Sequence, residues 1–196
     1  MPLGDKTTLL QVLRRYADEV TPAKRGNAKE AVRLRAFERQ LLPIGTPISK
    51  LTTADLAAWR DDRLKINARG SVLRDISLLS AVLETARREW GLIERNPMAD
   101  VRKPAQPDHR ERVIAPWEVR GMLRALGHQA RPPHQVRSVG QAVAVCFLAA
   151  LATGMRAGEL CGLAWADVYH THCHLALTKN GSYRDVPLSP VAVRLL

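Results

Sequence analysis

Several things that would define a protein class are scarce in this chain. It has three cysteines, Cys146, Cys161 and Cys173, an odd number without metal-ligand spacing; two lie in apolar helical context, so buried thiols are expected rather than bridges. No apolar run approaches the ~20 residues that a membrane span needs, and the opening MPLGDK lacks the apolar stretch of a secretory signal. A cytoplasmic protein with no membrane contact is the expectation. No internal repeat or low-complexity segment stands out. Aromatic residues make up 5% of the chain and form no stacking motif that would favour an RNA-binding role.

Acidic residues are the other shortage. Lysine and arginine number 30 against 19 aspartates and glutamates, a net charge of +11. The excess is spread along the chain, with 18 basic against 13 acidic residues in 1–100 and 12 against 6 in 101–196. A polyanion neutralised over an extended surface fits that distribution better than a single basic tail does. With 196 residues and 46% apolar content, the chain is long enough for one large or two small globular domains.

What is present in the first half is mostly helical patterning. Thr7 to Val20 carries Leu9, Leu10, Val12, Leu13, Tyr16, Ala17 and Val20 near helical spacing, and Thr21-Pro22 ends it. Lys24 to Leu42 continues as a very basic amphipathic segment broken by Pro43 to Pro47. Thr52 and Asp55 resemble a capping box that opens a helix through Leu56, Trp59, Arg63 and Leu64. After a turn at Asn67 to Gly70, Ser71 is expected to cap the clearest helix, where Val72, Ile76, Leu79, Leu83, Ala86 and Trp90 recur at steps of four and three. Lys65, Arg69 and Arg74 flank that turn and are candidate phosphate contacts. Gly91 ends the helix, and the charged, proline-bearing stretch 101–112 reads as a linker. Ala115-Pro116 then starts a helix that Gly127 closes.

The rest of the chain is organised around 151–168, LATGMRAGELCGLAWADV. Ala142 to Ala152 is an almost unbroken apolar run that reads as a buried core helix stopped by Gly154. Arg156 follows, with Glu159 three residues on, and Leu160, Leu163 and Trp165 are expected to anchor a second short helix. An arginine there offers a planar fork that suits two phosphate oxygens, and a carboxylate at i+3 fixes its direction. On the residues alone, a helix-terminus salt bridge serves equally well. Downstream, TKNGSYRDVPLS places Lys179 beside an Asn180-Gly181 turn between two strand-like runs, 172–178 and 183–188, a strong hairpin signal.

Together these two stretches resemble the tyrosine recombinase (phage integrase) family, whose catalytic domain carries an arginine in a TGxRxxEL turn and a lysine in a following β-hairpin. Arg156 and Lys179 match those positions, and Glu159 matches the acidic position after the arginine. The resemblance implies site-specific cutting and rejoining of double-stranded DNA, without cofactor or metal. It implies a helical core-binding domain over 1–100, the linker 101–112, and the N-terminal part of the catalytic domain over 113–196. The expected fold is thus mainly α, a helical DNA-binding bundle followed by a partial α+β unit with one small β-hairpin. Self-association on DNA sites is implied too. Arg156 would stabilise a phosphorane's extra negative charge, and Lys179 would protonate the leaving 5′-oxygen.

The family also needs a later His-x-x-Arg pair and a tyrosine nucleophile, and the sequence stops at Leu196 before either, which reads as a truncated chain. His128 with Arg131 and His134 with Arg137 have the spacing but precede Arg156 in a proline-broken loop, and read as chance matches. His170, His172 and His174 would share a strand face that reads as exposed surface rather than a metal site. A non-catalytic protein that occupies recombination sites is the alternative. Tyr16, Tyr169 and Tyr183 are the only tyrosines, and none matches the nucleophile's context. Incubation of these 196 residues with a suicide DNA substrate should therefore give no covalent adduct on a denaturing gel. A 3′-phosphotyrosyl link mapped to any of the three would overturn that expectation.

Overall fold

The computed structural model describes residues 6–108, 111–128, 136–176 and 181–195. The chain divides into two compact units, Met1–Arg110 and Glu111–Leu196. The first is built on four helices: α1 (Leu9–Glu19), α2 (Asn27–Phe37), α3 (Thr53–Ile66) and α4 (Arg69–Arg88). Two of them start on reciprocal caps, in which the Thr8 hydroxyl accepts from the Gln11 N–H and that of Thr52 from the Asp55 N–H, while Gln11 and Asp55 reach back to the cap N–H groups. These satisfy amide donors that the first helical turn leaves unpaired.

Ser71 does not cap α4. The helix begins three residues earlier, at Arg69, with Ala68 in the cap position, and the Ala68 carbonyl accepts from the Ser71 and Val72 N–H groups. Ser71 instead lies inside the first turn and accepts from Arg74 Nη2 at 3.3 Å. The basic segment is also shorter than its pattern implies, for Lys24 stays outside α2 and donates to the Tyr16 hydroxyl at 2.6 Å and to Glu30 at 2.9 Å.

Each helix contributes one apolar stripe to a common core. Leu9, Val12, Leu13 and Tyr16 meet Leu34 and Phe37 of α2, Leu56 and Trp59 of α3, and Val72, Ile76, Leu79, Val82, Leu83 and Ala86 of α4. Trp59 packs edge-on to Phe37 at 5.9 Å and donates its indole N–H to Gln40 Oε1 at 3.1 Å, which removes the cost of burying that donor. Full burial of side chains of this size contributes roughly 1.5–3 kcal/mol each. Val101 and Met98 belong to the same core. The stretch from 101 is therefore held against the first unit: the Arg102 carbonyl accepts from Arg60 at 2.8 Å, and Pro107 lies so near Gly70 that an added Cβ would stand 3.3 Å from its Cγ.

Glu84, near the end of α4, accepts from Arg87, Arg88 and Asn96, and the Arg87 guanidinium above all lowers its carboxyl to about 2. Asn96 also donates to the Ser80 carbonyl and accepts from the Met98 N–H, so it fastens the short 3-10 turn Pro97–Asp100 to α4.

The second unit contains α5 (Pro116–Ala125), α6 (Val139–Thr153), α7 (Ala157–Cys161), strands β1 (His172–Leu175) and β2 (Arg184–Pro187), and α8 (Pro190–Leu195). The strands form an antiparallel hairpin in which Cys173 faces Val186 and Leu175 faces Arg184. They are shorter than the runs in the sequence, and residues 177–180, with Lys179 among them, lie outside the described residues. Within the unit α6 packs on α7 and α8, yet among its described residues only Ala144 and Ala149 are buried, while Val139 is 81% exposed. The expectation of a fully buried core helix is thus corrected: its all-round apolar surface is covered on one side by the elements described. Trp165 is exposed rather than an anchor of α7. Cys146 and Cys161 are exposed too, and only Cys173 is the buried thiol expected of all three. Among the described residues no helix is long and apolar enough to cross a membrane.

One charged group sits deep in the first unit. Asp75 of α4 is 5% exposed and accepts from Arg63 of α3 at 3.0 Å, with Arg33 of α2 at 3.5 Å. Removal of the carboxylate leaves the mostly buried Arg63 without a counter-charge, the situation in which broken ion pairs cost most. Asp75→Ala should destabilise the first unit by about 3 kcal/mol, read as a lowered urea midpoint. A change within about 0.5 kcal/mol would mean that solvent already compensates Arg63.

Candidate functional site

The site begins where α6 stops. Gly154 takes a left-handed conformation, φ 67°, and closes the helix with its N–H on the Ala150 carbonyl. Met155 then turns inward and is buried against Leu175 of β1 and Val186 of β2, with Leu160 and Leu163 packed alongside. Burial of Met155 fixes the backbone of its neighbour. Arg156 is the N-cap of α7, and its side chain is 57% exposed.

Glu159 ties the start of α7 to the hairpin. Its Oε2 accepts the Arg156 backbone N–H at 2.8 Å and its Oε1 accepts Arg156 Nη1 at 2.8 Å. Arg184 of β2 donates Nη2 to the same Oε2, also at 2.8 Å. The Glu159 side chain is only 9% exposed, so one nearly buried carboxylate holds two guanidiniums from two elements. Its carboxyl is held below its ordinary 4.5, first by the Arg156 N–H and then, against the opposing effect of burial, by the Arg156 and Arg184 side chains. Two positive charges around one negative leave the site net positive. Arg156 is gripped through one nitrogen and stays accessible, a geometry suited to an incoming oxyanion.

The other sequence candidates lie apart in the chain or outside the described residues. Lys179 falls in sequence between β1 and β2 and is among the latter. Lys65, Arg69 and Arg74 are exposed at the α3–α4 junction of the first unit. Lys65 is tied to Asp62 at 2.6 Å, which raises its affinity for the proton, and Arg74 to Ser71. Among the described residues no group of three or more histidine, cysteine or acidic side chains is placed to hold a metal. His172 stacks on Tyr169 at 4.7 Å, and His174 shares a hydrogen bond with Asp185 at 2.7 Å. Tyr16 is buried, while Tyr169 and Tyr183 are exposed.

Arg184 is the site residue that sequence reasoning misses. A signal for it exists: residues 184 and 186 share a strand face, and Val186 points into the small apolar cluster next to α7. A basic residue on that face has to find a carboxylate or leave the cluster.

No family model matches the chain. It is 35% identical over 194 residues to the shufflon-specific DNA recombinase of Escherichia coli, covering 94% of this chain and 48% of that protein. A protein of Haemophilus influenzae provisionally named an integrase/recombinase is 32% identical over 191 residues, 96% of this chain and 52% of its own length. The chain thus spans about half the length of the curated relatives it matches. In structure it resembles a lambda integrase tetramer solved on a Holliday junction, with a TM-score of 0.74 at 22% identity over 96% of this chain and 52% of that one. A mainly helical fold with one small hairpin is common to both, and the resemblance to the tyrosine recombinase family extends over nearly the whole chain.

Because the folded state lowers the pKa of Glu159, its contribution is fully present above the ordinary carboxylate range and is lost as the pH falls through the depressed value. Amide exchange of the Arg156 N–H and of the hairpin should accelerate over that acid window, relative to the first unit. Glu159→Gln should remove that step and leave exchange fast at neutral pH; an unchanged acid profile in the variant would assign the step to another group.

Proposed function

We propose that this chain, related over nearly all of its length to integrases and recombinases, binds double-stranded DNA and supplies cations to a site-specific recombination reaction. The observation that carries the reading is the Arg156 guanidinium, held by a nearly buried Glu159 and still open to a phosphate. In strand cutting by a side-chain nucleophile, the bond from phosphorus to the 5′-oxygen breaks as the new one forms, and charge builds on the non-bridging oxygens. A preoriented fork stabilises that charge more than it stabilises the starting diester. Lys179, in the hairpin loop, would give its proton to the departing 5′-oxygen.

The division of labour runs along the chain. Residues 1–100 would act as a core-binding clamp on one side of the duplex, 101–112, whose first residues pack on that clamp, as the connection, and 113–196 as the bearer of the catalytic cations. Lys65, Arg69 and Arg74 suit phosphate contacts, being exposed and placed where one helix ends and another starts. Copies of the chain would assemble on the DNA site, in the cytoplasm.

Duplex affinity should fall steeply with salt, as counterions are released by a protein of net charge +11. Joint replacement of Lys65, Arg69 and Arg74 by alanine should weaken binding and reduce the log–log salt slope by about 3, one unit for each lost phosphate contact. A gel-shift series without retardation even in dilute buffer would overturn DNA binding; an unchanged slope would overturn only the placement of the three residues.

A further inference from the structure

The shared carboxylate gives Arg184 a part that reaches beyond its own strand. We propose that Arg184 is a positioning residue: through Glu159 it ties the start of β2 to the turn that carries Arg156, and so aims the Arg156 guanidinium. The inference rests on the functional reading above.

Three observations carry it. Arg184 is the first paired residue of β2, opposite Leu175, so whatever fixes Arg184 fixes the start of that strand. Its Nη2 meets the Oε2 that also accepts the Arg156 N–H, which makes one oxygen the junction between β2 and the start of α7. Beneath that junction, Met155, Leu175 and Val186 form an apolar cluster that joins the same two elements. Packing sets the distance between them, but apolar contact is not directional. The ion pairs add the direction, since a guanidinium donates only in its own plane.

An ordinary surface pair would contribute little, because solvent screens both partners. Here the carboxylate is 9% exposed, and loss of Arg184, itself 42% exposed, leaves Oε2 with the Arg156 N–H alone. The Arg156 fork then loses the fixed counter-charge position that aims it. Lysine at 184 retains the charge and the reach to Glu159 but not the planar geometry, whereas glutamine loses the charge.

The test uses the 196-residue chain and inorganic phosphate as probe, followed at the Arg156 Nε–Hε resonance by NMR. Phosphate affinity at Arg156 should fall about tenfold in Arg184→Ala, the effect of one lost hydrogen bond to a charged group. Arg184→Lys should recover much of it and Arg184→Gln little. Glutamine rescue equal to that by lysine would overturn the role, as would an Arg184→Ala resonance that moves and titrates like the wild type. If Arg184→Ala fails to fold, the lysine and glutamine pair still decides, because both keep the stem of the side chain.

A second measurement separates positioning from direct contact. With duplex affinity as readout, Arg184→Ala should have no further effect once Arg156→Ala is present; fully additive losses would make Arg184 an independent phosphate contact and overturn the inference. Wild-type chain that shows the coupled phosphate response but binds no duplex would defeat the DNA-binding reading and leave the coupling standing. Duplex binding without the coupling would do the reverse.

Discussion

The second unit depends on a carboxylate that has nowhere else to go. Glu159 sits three residues into a five-residue helix, beneath two arginines and beside an apolar cluster, and is nearly closed off from water. A buried charge of that kind is tolerated only when its oxygens are filled, and both are. Satisfying Glu159 therefore dictates the backbone at Arg156, the direction of one guanidinium and the placement of the hairpin edge. The left-handed Gly154 just before it is what lets the chain leave α6 and enter that arrangement.

The first unit solves the converse problem. Its core is apolar and held by stripes from four helices, and among the described residues the buried polar ones are few, Thr21, Asp75 and Asn96. Asp75 is the charged one of these, drawing Arg63 and Arg33 onto α4 from two neighbouring helices. Such a pairing is directional where apolar packing is not, so it restricts how α2 and α3 lie against α4.

Charge counting needs the structure to be interpreted. Much of the basic excess of the first unit faces a neighbouring acid: Arg14 meets Glu38, Arg15 meets Glu19, Lys24 meets Glu30 and Lys65 meets Asp62. The net charge, and with it the long-range pull on a polyanion, is unaltered by these pairings. What changes is how readily each cation reaches out to a phosphate, since an arginine already paired must exchange one partner for another.

Much of the first unit was legible from the chain alone, because its signals are local. The stripe from Val72 to Ala86 and the Thr52–Asp55 cap depend on residues within a few positions of each other. The Arg156–Glu159 pair was legible for the same reason, as was the antiparallel pairing of His172–Leu175 with Arg184–Pro187. Tertiary structure decided the rest. Ser71 had the chemistry of a cap, yet the chain turned helical earlier, at Arg69, where Gly70 fits close beneath Pro107, thirty-seven residues away. Val101 looked like linker and is core, because Met98 and α4 offered it a place. The apolar run of α6 implied burial all round, whereas coverage depends on which other elements pack on it. Strand alternation puts Arg184 on the face of Val186 but does not say which carboxylate it meets, since a contact across twenty-five residues leaves no periodicity in the sequence; only the folding of β2 against α7 brings the two charges within 2.8 Å.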